Sequence, residues 1–202
     1  IQFKGAALSE DQHQQFIAIA FKNANQLKKL VDQIFELAHL EGGEVTLQLE
    51  VFPLAELLHD IVAKFQYRLN AKKIQLIIEP FECEFMVNTD IGKLERVLSN
   101  LIDNAIRHTD IGGKIIMKVT RKNNENFNLA VIDNGTGIDS KELDYIFNPR
   151  FRASNAICDD KEHGGLGLAI TQKLLLLLGT EIQVKSEIEK GTTFDFNLRR
   201  AQ

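Results

Sequence analysis

From Ser9 to Glu41 the chain carries neither glycine nor proline, and 42-GG-43 then closes the run. Nothing else in the sequence limits the fold so strongly, because an uninterrupted stretch of this length has to be one helix of roughly 50 Å at ~1.5 Å per residue. Ser9, with Gln12 three residues on, has the form of a capping box, and the glycine pair is a helix stop. Phe16, Ala20, Asn23, Leu27, Leu30, Ile34 and Leu37 recur at alternating steps of four and three, a heptad seam. One helix cannot cover its own seam, so a partner helix is required.

Beyond the glycines the pattern changes. Residues 45–52 alternate and predict a strand, and Pro53 suits the first turn of a helix reaching about Asn70. Residues 74–79 and 85–87 predict strands, 90–108 a helix, and 114–120 and 127–133 two strands joined by the polar turn 122–126. A short helix is expected near 140–146, then an irregular polar stretch over 148–163 and a helix from about Gly165 to Leu178. Strands are expected at 181–187 and 193–199. The expected class is α+β: a two-layer sandwich with a mixed sheet and helices on one face, preceded by the long helix.

With 202 residues, 44% of them hydrophobic, the chain can bury a sizeable core, and a net charge of −4 gives no footprint for nucleic acid. No apolar run approaches a membrane span, so no direct membrane contact is expected. Cys83 and Cys158 are far apart and in no metal-type spacing, which suggests free thiols in a reducing, cytoplasmic setting. The chain opens at Ile1 with neither methionine nor signal peptide, and reads as a piece of something longer.

The chemistry gathers at element ends. Helix 90–108 places Asn100 and Asn104 four apart on one face, followed a turn later by Arg107 and His108. Asparagine is a poor helix former and costly to bury unpaired. Asp133 ends an apolar strand, and Gly135 and Gly137 behind it allow close backbone approach to a ligand; taken alone, 133-DNGTGID-139 is better explained by an Asx turn. The stretch 164-GGLGLAI-170 precedes a helix start, where free N–H groups favour phosphate, although it also serves as a plain loop-to-helix junction. Residues 191-GTTF-194 open a strand and by themselves are only a turn.

In this order and spacing the pieces resemble the ATP-binding domain of sensor histidine kinases, the Bergerat ATP-binding fold. Asn100 to Ala105 is similar to that family's N box and Asp133, Gly135 and Gly137 to its G1 box. Residues 146–149 with Phe151 and Arg152 are similar to its F box, Gly165 to Leu168 to its G2 box, and Gly191 to Phe194 to its final small box. Residues 27–44 resemble the second helix of the family's dimerisation hairpin and the linker after it. The resemblance implies a partial dimerisation stalk over 1–43 and an ATP-binding catalytic domain over 44–202.

It also implies the following roles. Asp133 accepts a hydrogen bond from the adenine 6-amino group and selects against guanine, which carries a carbonyl there. Asn104 is the Mg²⁺ ligand, with Asn100 facing the same phosphates. Arg107 and His108 reach the β- or γ-phosphate, and Arg152, with Arg150, closes a lid over it. Gly164, Gly165, Leu166, Gly167 and Thr193 complete the nucleotide-binding set, with Asn100, Arg107 and Arg152 as the catalytic group. For Arg107, His108, Arg150 and Arg152 an exposed basic position explains the sequence equally well.

This chain departs from the family pattern at His163, where a glycine is usual, at Arg107 and His108, where Lys and Tyr are common, and at Arg150, usually aromatic. None of His13, His39, His59, His108 and His163 has the context of the family's phosphorylated histidine, so the acceptor is expected upstream of Ile1. The expected function is phosphoryl transfer from ATP to that histidine and onward to a response-regulator receiver domain, in a cytoplasmic homodimer joined through the stalk, whether or not the parent is anchored in the inner membrane. Two alternatives stand: an ATPase of the gyrase, MutL or Hsp90 type, whose members carry Glu where Asn100 stands, and an interaction module of the same fold with weak or no kinase activity.

Overall fold

The computed structural model describes residues 9–43, 45–80, 85–151 and 165–201. Helix α1 spans Glu10–Glu41. Its capping box forms in both directions, with Gln12 N donating to Ser9 Oγ at 3.3 Å and Ser9 N donating to Gln12 Oε1 at 3.0 Å. No residue of α1 is buried, and Phe16, Leu27 and Ile34 of the seam are about half exposed or more. Its last turns dock: Leu37 and Leu40 pack against the core beside helix α4 (Gly167–Leu177), and Arg96 clasps Glu36 with three hydrogen bonds of 2.7 to 3.1 Å.

Strand β1 (Glu50–Pro53) pairs antiparallel with β3 (Met86–Thr89) in a small two-stranded sheet. The strand expected over 45–52 is therefore later and shorter. Gln48 N donates instead to the Asp90 carboxylate at 3.0 Å, and four-residue β3 offers ladder partners only to residues 50–53. Pro53 is the N-cap of α2 (Leu54–Lys72) rather than its first helical residue.

The main sheet has the order β2-β4-β5-β7-β6, from β2 (Gln75–Glu79), β4 (Lys114–Arg121), β5 (Asn126–Asp133), β7 (Gly191–Arg199) and β6 (Gln183–Glu187). Only β2 with β4 is parallel, so the sheet is mixed, as expected. Helices α2, α3 (Ile91–His108) and α4 share the core with the sheet. Register explains how. Met117, Val131 and Phe194 form one cross-strand row, Val119, Leu129 and Phe196 the next, and Phe127 with Leu198 a third, all buried. The alternate residues Lys118, Thr120, Asn128, Asp195 and Asn197 fall on the other, partly solvated face.

Residues 140–146 form no helix. Asp139 starts an Asx turn by accepting from Lys141 N at 2.9 Å, and backbone bonds from Glu142 to Asp139, Tyr145 to Glu142 and Asn148 to Tyr145 make a chain of four-residue turns that share their end residues. This path still delivers Ile146 to the core and sets Phe147 edge-on to Phe194, centroids 6.4 Å apart. No helix among the described residues is long and apolar enough to cross a membrane.

Candidate functional site

The inward face of β5 reads Phe127, Leu129, Val131, Asp133, so the strand's period carries a carboxylate into the row that begins as core. Asp133 is 6% exposed and lies opposite Ile115 on β4 and Thr192 on β7. Its Oδ1 accepts from Gly135 N at 2.9 Å and Thr192 N at 3.3 Å, and Oδ2 takes no hydrogen bond among the described residues. Burial pushes its carboxyl up from 3.8 to about 6, against the pull of those two N–H donors.

The loop after Asp133 is pressed onto the end of α3. Thr136 N donates to the His108 carbonyl at 3.0 Å, and a Cβ on Gly135 would lie 2.3 Å from that same oxygen. Gly137 holds φ +68°, and a Cβ there would meet the Glu187 carbonyl oxygen at 2.0 Å. The glycines of this motif are thus dictated by contacts with α3 on one side and β6 on the other.

Helix α3 presents an apolar face, with Leu94, Val97, Leu98, Leu101, Ile102, Ala105 and Ile106 buried, and a polar stripe of Asn100, Asn104 and Arg107. Asn100 Nδ2 donates to Gly167 O at 3.2 Å and to Thr171 Oγ1 at 3.3 Å, while Thr171 gives its own proton to Gly167 O at 2.9 Å. Both neighbours need a donor, so the amide is fixed with Oδ1 unclaimed. The half-buried Asn104 side chain makes no hydrogen bond among the described residues. Arg107 lies on the same face, but its guanidinium turns to Asp103 at 2.5 Å, a carboxylate also bound by Arg68 of α2.

At the third motif, Gly165 O accepts from Arg150 N at 3.0 Å, Leu166 is buried, and a Cβ on Gly167 would meet nothing within 4 Å. The α4 N-terminus has no side-chain cap. Arg152 and Gly164, with His163, lie outside the described residues. Thr193 is on the opposite face of β7 from Asp133, paired with Ile132 and Lys185. The strand residue beside the acid is Thr192, buried, with its hydroxyl 2.8 Å from Ser186 Oγ. Sequence reasoning passed over Thr192, Thr171 and Ser186; the alternation that places Asp133 inward would have selected Thr192 once the β5–β7 register was known.

Along α3, eight residues, about 12 Å at 1.5 Å per residue, separate Asn100 from His108. The site therefore has an acid end, framed by Asp133, the His108 carbonyl and Thr192, and an amide end, framed by Asn100, Asn104 and the start of α4.

Residues 89–202 match the family described as histidine kinase-, DNA gyrase B-, and HSP90-like ATPase. Over 199 residues the chain is 32% identical to sensor protein SrrB of Staphylococcus aureus (strain MRSA252), an alignment that covers 98% of this chain and 34% of that protein. The chain thus spans about a third of the length of this curated relative. Full-length ShkA in complex with AMPPNP superimposes with a TM-score of 0.80 at 22% identity, covering 97% of this chain and 41% of ShkA. Histidine kinase ThkA in complex with the response regulator TrrA gives 0.76 at 24% identity, covering 98% of this chain and 54% of ThkA. These two likenesses are of fold. An inward acid at the end of the central strand, glycines that let its loop press on the amide helix, and a family match that runs through both make this chain a member of the histidine kinase-, DNA gyrase B-, and HSP90-like ATPase family.

Proposed function

We propose that this chain is the ATP-binding catalytic part of a sensor histidine kinase. It would transfer the γ-phosphoryl group of ATP to a histidine outside the chain, for onward passage to a receiver-domain aspartate. The observation that carries the reading is Asp133: a buried carboxylate whose Oδ1 is held by two backbone donors and whose Oδ2 is left as an acceptor for an exocyclic amine. Adenine offers a donor at that position and guanine an acceptor, so the arrangement selects ATP. The amide end supports the rest. Asn100 Oδ1 and the Asn104 amide are unclaimed hard oxygen donors, which fits Mg²⁺ bound mainly through phosphates and water. Bound there, Mg²⁺ would neutralise phosphate charge. The chain's own part is to fix the base at Asp133, lay the triphosphate along α3, and offer the uncapped N–H groups of α4 to it.

Asn100 also separates kinase from ATPase. A hydrolase needs a base near the terminal phosphate to activate water, and an amide is a poor one. The exposed seam of α1 supports self-association through a helical stalk, and the ThkA complex with TrrA supports a response regulator as partner. The test is incubation of the parent protein with γ-labelled ATP and Mg²⁺. Acid-labile label on a histidine that vanishes in Asp133→Asn is expected. Steady ATP hydrolysis without label would favour the ATPase reading, and no binding at millimolar nucleotide an interaction module.

A further inference from the structure

Lys72 ends α2, far from the motifs in sequence, yet its ammonium sits at the C-terminus of the amide helix. Nζ donates to the carbonyls of Ile106 at 2.8 Å, Arg107 at 3.1 Å and Thr109 at 3.1 Å, so all three protons are placed on main-chain oxygens at the α3 terminus. These are carbonyls a helix end leaves without intrahelical partners, and a cation there meets the negative end of the helix dipole. Arg107, in α3's last turn, is turned to Asp103, and the remaining carbonyl there, that of His108, is the acceptor for Thr136. Lys72 is itself pinned, because its carbonyl accepts from Gly112 N at 2.9 Å and the next residue, Lys73, turns the chain with φ 54°.

The consequence runs through one residue. His108 lies between the carbonyls that Lys72 holds, and its own carbonyl is the surface against which Gly135 and Thr136 are pressed. The position of Asp133 relative to α3 depends on that joint. We infer that Lys72 is a positioning residue for the nucleotide site, holding the last turn of α3 so that the Asp133 loop and the amide stripe keep their spacing. This rests on the nucleotide reading above, with Lys72 acting through α3 rather than on the ligand.

The test is calorimetric titration of ADP and of GDP, each with Mg²⁺, into the wild type, Lys72→Met and Lys72→Arg, at a temperature where circular dichroism shows each folded. Lys72→Met should weaken ADP about tenfold and reduce its preference over GDP, and Lys72→Arg, which keeps charge and donors, should recover most of both. A purely structural lysine would lower the melting temperature but leave the affinity and base preference of the folded variant unchanged, and that result overturns the inference. A wild type that binds no ADP overturns the nucleotide reading itself, and this inference with it. Should Lys72→Met not fold, Lys72→Gln decides. Faster amide exchange at Thr136 with weakened ADP binding is expected, and unchanged values of both refute the role.

Discussion

Replacing Asp133 by asparagine changes one atom of the side chain and reverses its meaning to a base. In the wild type the backbone N–H groups of Gly135 and Thr192 hold Oδ1, which leaves Oδ2 as an acceptor. In Asp133→Asn the same two donors keep the amide oxygen where Oδ1 was, and the NH₂ group takes the place of Oδ2. The adenine 6-amino group then meets a donor. The loss is a hydrogen bond to a charged acceptor, worth about 1.5 to 3 kcal/mol, plus about 1 to 3 kcal/mol for a donor left unsatisfied in a closed pocket. Together these come to about 2.5 to 6 kcal/mol, and about 3 kcal/mol, near the lower end, is already roughly a hundredfold in ADP affinity, with GDP losing far less because its carbonyl now finds a donor.

The unliganded protein should respond in the opposite sense. Burial raises the Asp133 carboxyl from 3.8 to about 6 in the folded state. Between those values the folded protein holds a proton the unfolded chain has released, so unfolding free energy falls as pH rises through that window, by about 3 kcal/mol in all. Asp133→Asn removes this slope and should be the more stable protein at pH 7.5, with the two converging near pH 4. ADP affinity of the wild type should be flat above pH 7 and weaken below about 6, as Oδ2 acquires a proton. Calorimetry with ADP and GDP and urea unfolding at several pH values read all of this. An Asp133→Asn protein that binds ADP within about threefold of wild type would refute the role of the carboxylate in reading the base.

Asn104→Ala removes an amide that makes no hydrogen bond among the described residues, so stability should change by less than about 0.5 kcal/mol while the enhancement of nucleotide binding by Mg²⁺ falls about tenfold or more. Unfolding curves and titrations with and without the metal separate the two, and an unchanged Mg²⁺ effect would remove Asn104 from the metal site. Gly135→Ala puts a methyl 2.3 Å from a main-chain oxygen of α3, which has to move, and about 1 to 3 kcal/mol of stability should go with it. A urea midpoint equal to wild type would show the loop is not pressed on the helix. Arg96→Met breaks the fork to Glu36, a partly exposed pair worth about 0.5 to 1 kcal/mol, and amide exchange should quicken in the last two turns of α1 while the sheet is unaffected. Equal exchange at Leu37 and Leu40 would mean their packing alone holds that end.

What the sequence disclosed, and what it withheld, follows from how far each signal reaches along the chain. Helix α1 was legible from its ends inward because capping box, heptad steps and glycine stop are all local. Asp133 was legible because strand alternation is local: three apolar residues at even spacing before it fix the side on which its carboxylate falls. The boundary of β1 was not, since it is set by the length of β3 and by an Asp90 carboxylate more than forty positions away that draws off the Gln48 amide. Nor was the choice between Thr192 and Thr193. Either threonine satisfies the motif, and a one-residue shift in the β5–β7 register would exchange their faces. Arg107 shows the same limit in charge. The helical period places it beside Asn100 and Asn104, but the period cannot reveal that Arg68 of α2 and Arg107 converge on one Asp103. Local pattern therefore tells which side chains share a face, and pairing between distant segments decides which of them are left free for a ligand. In this chain Asn100, Asn104 and Asp133 satisfy both conditions.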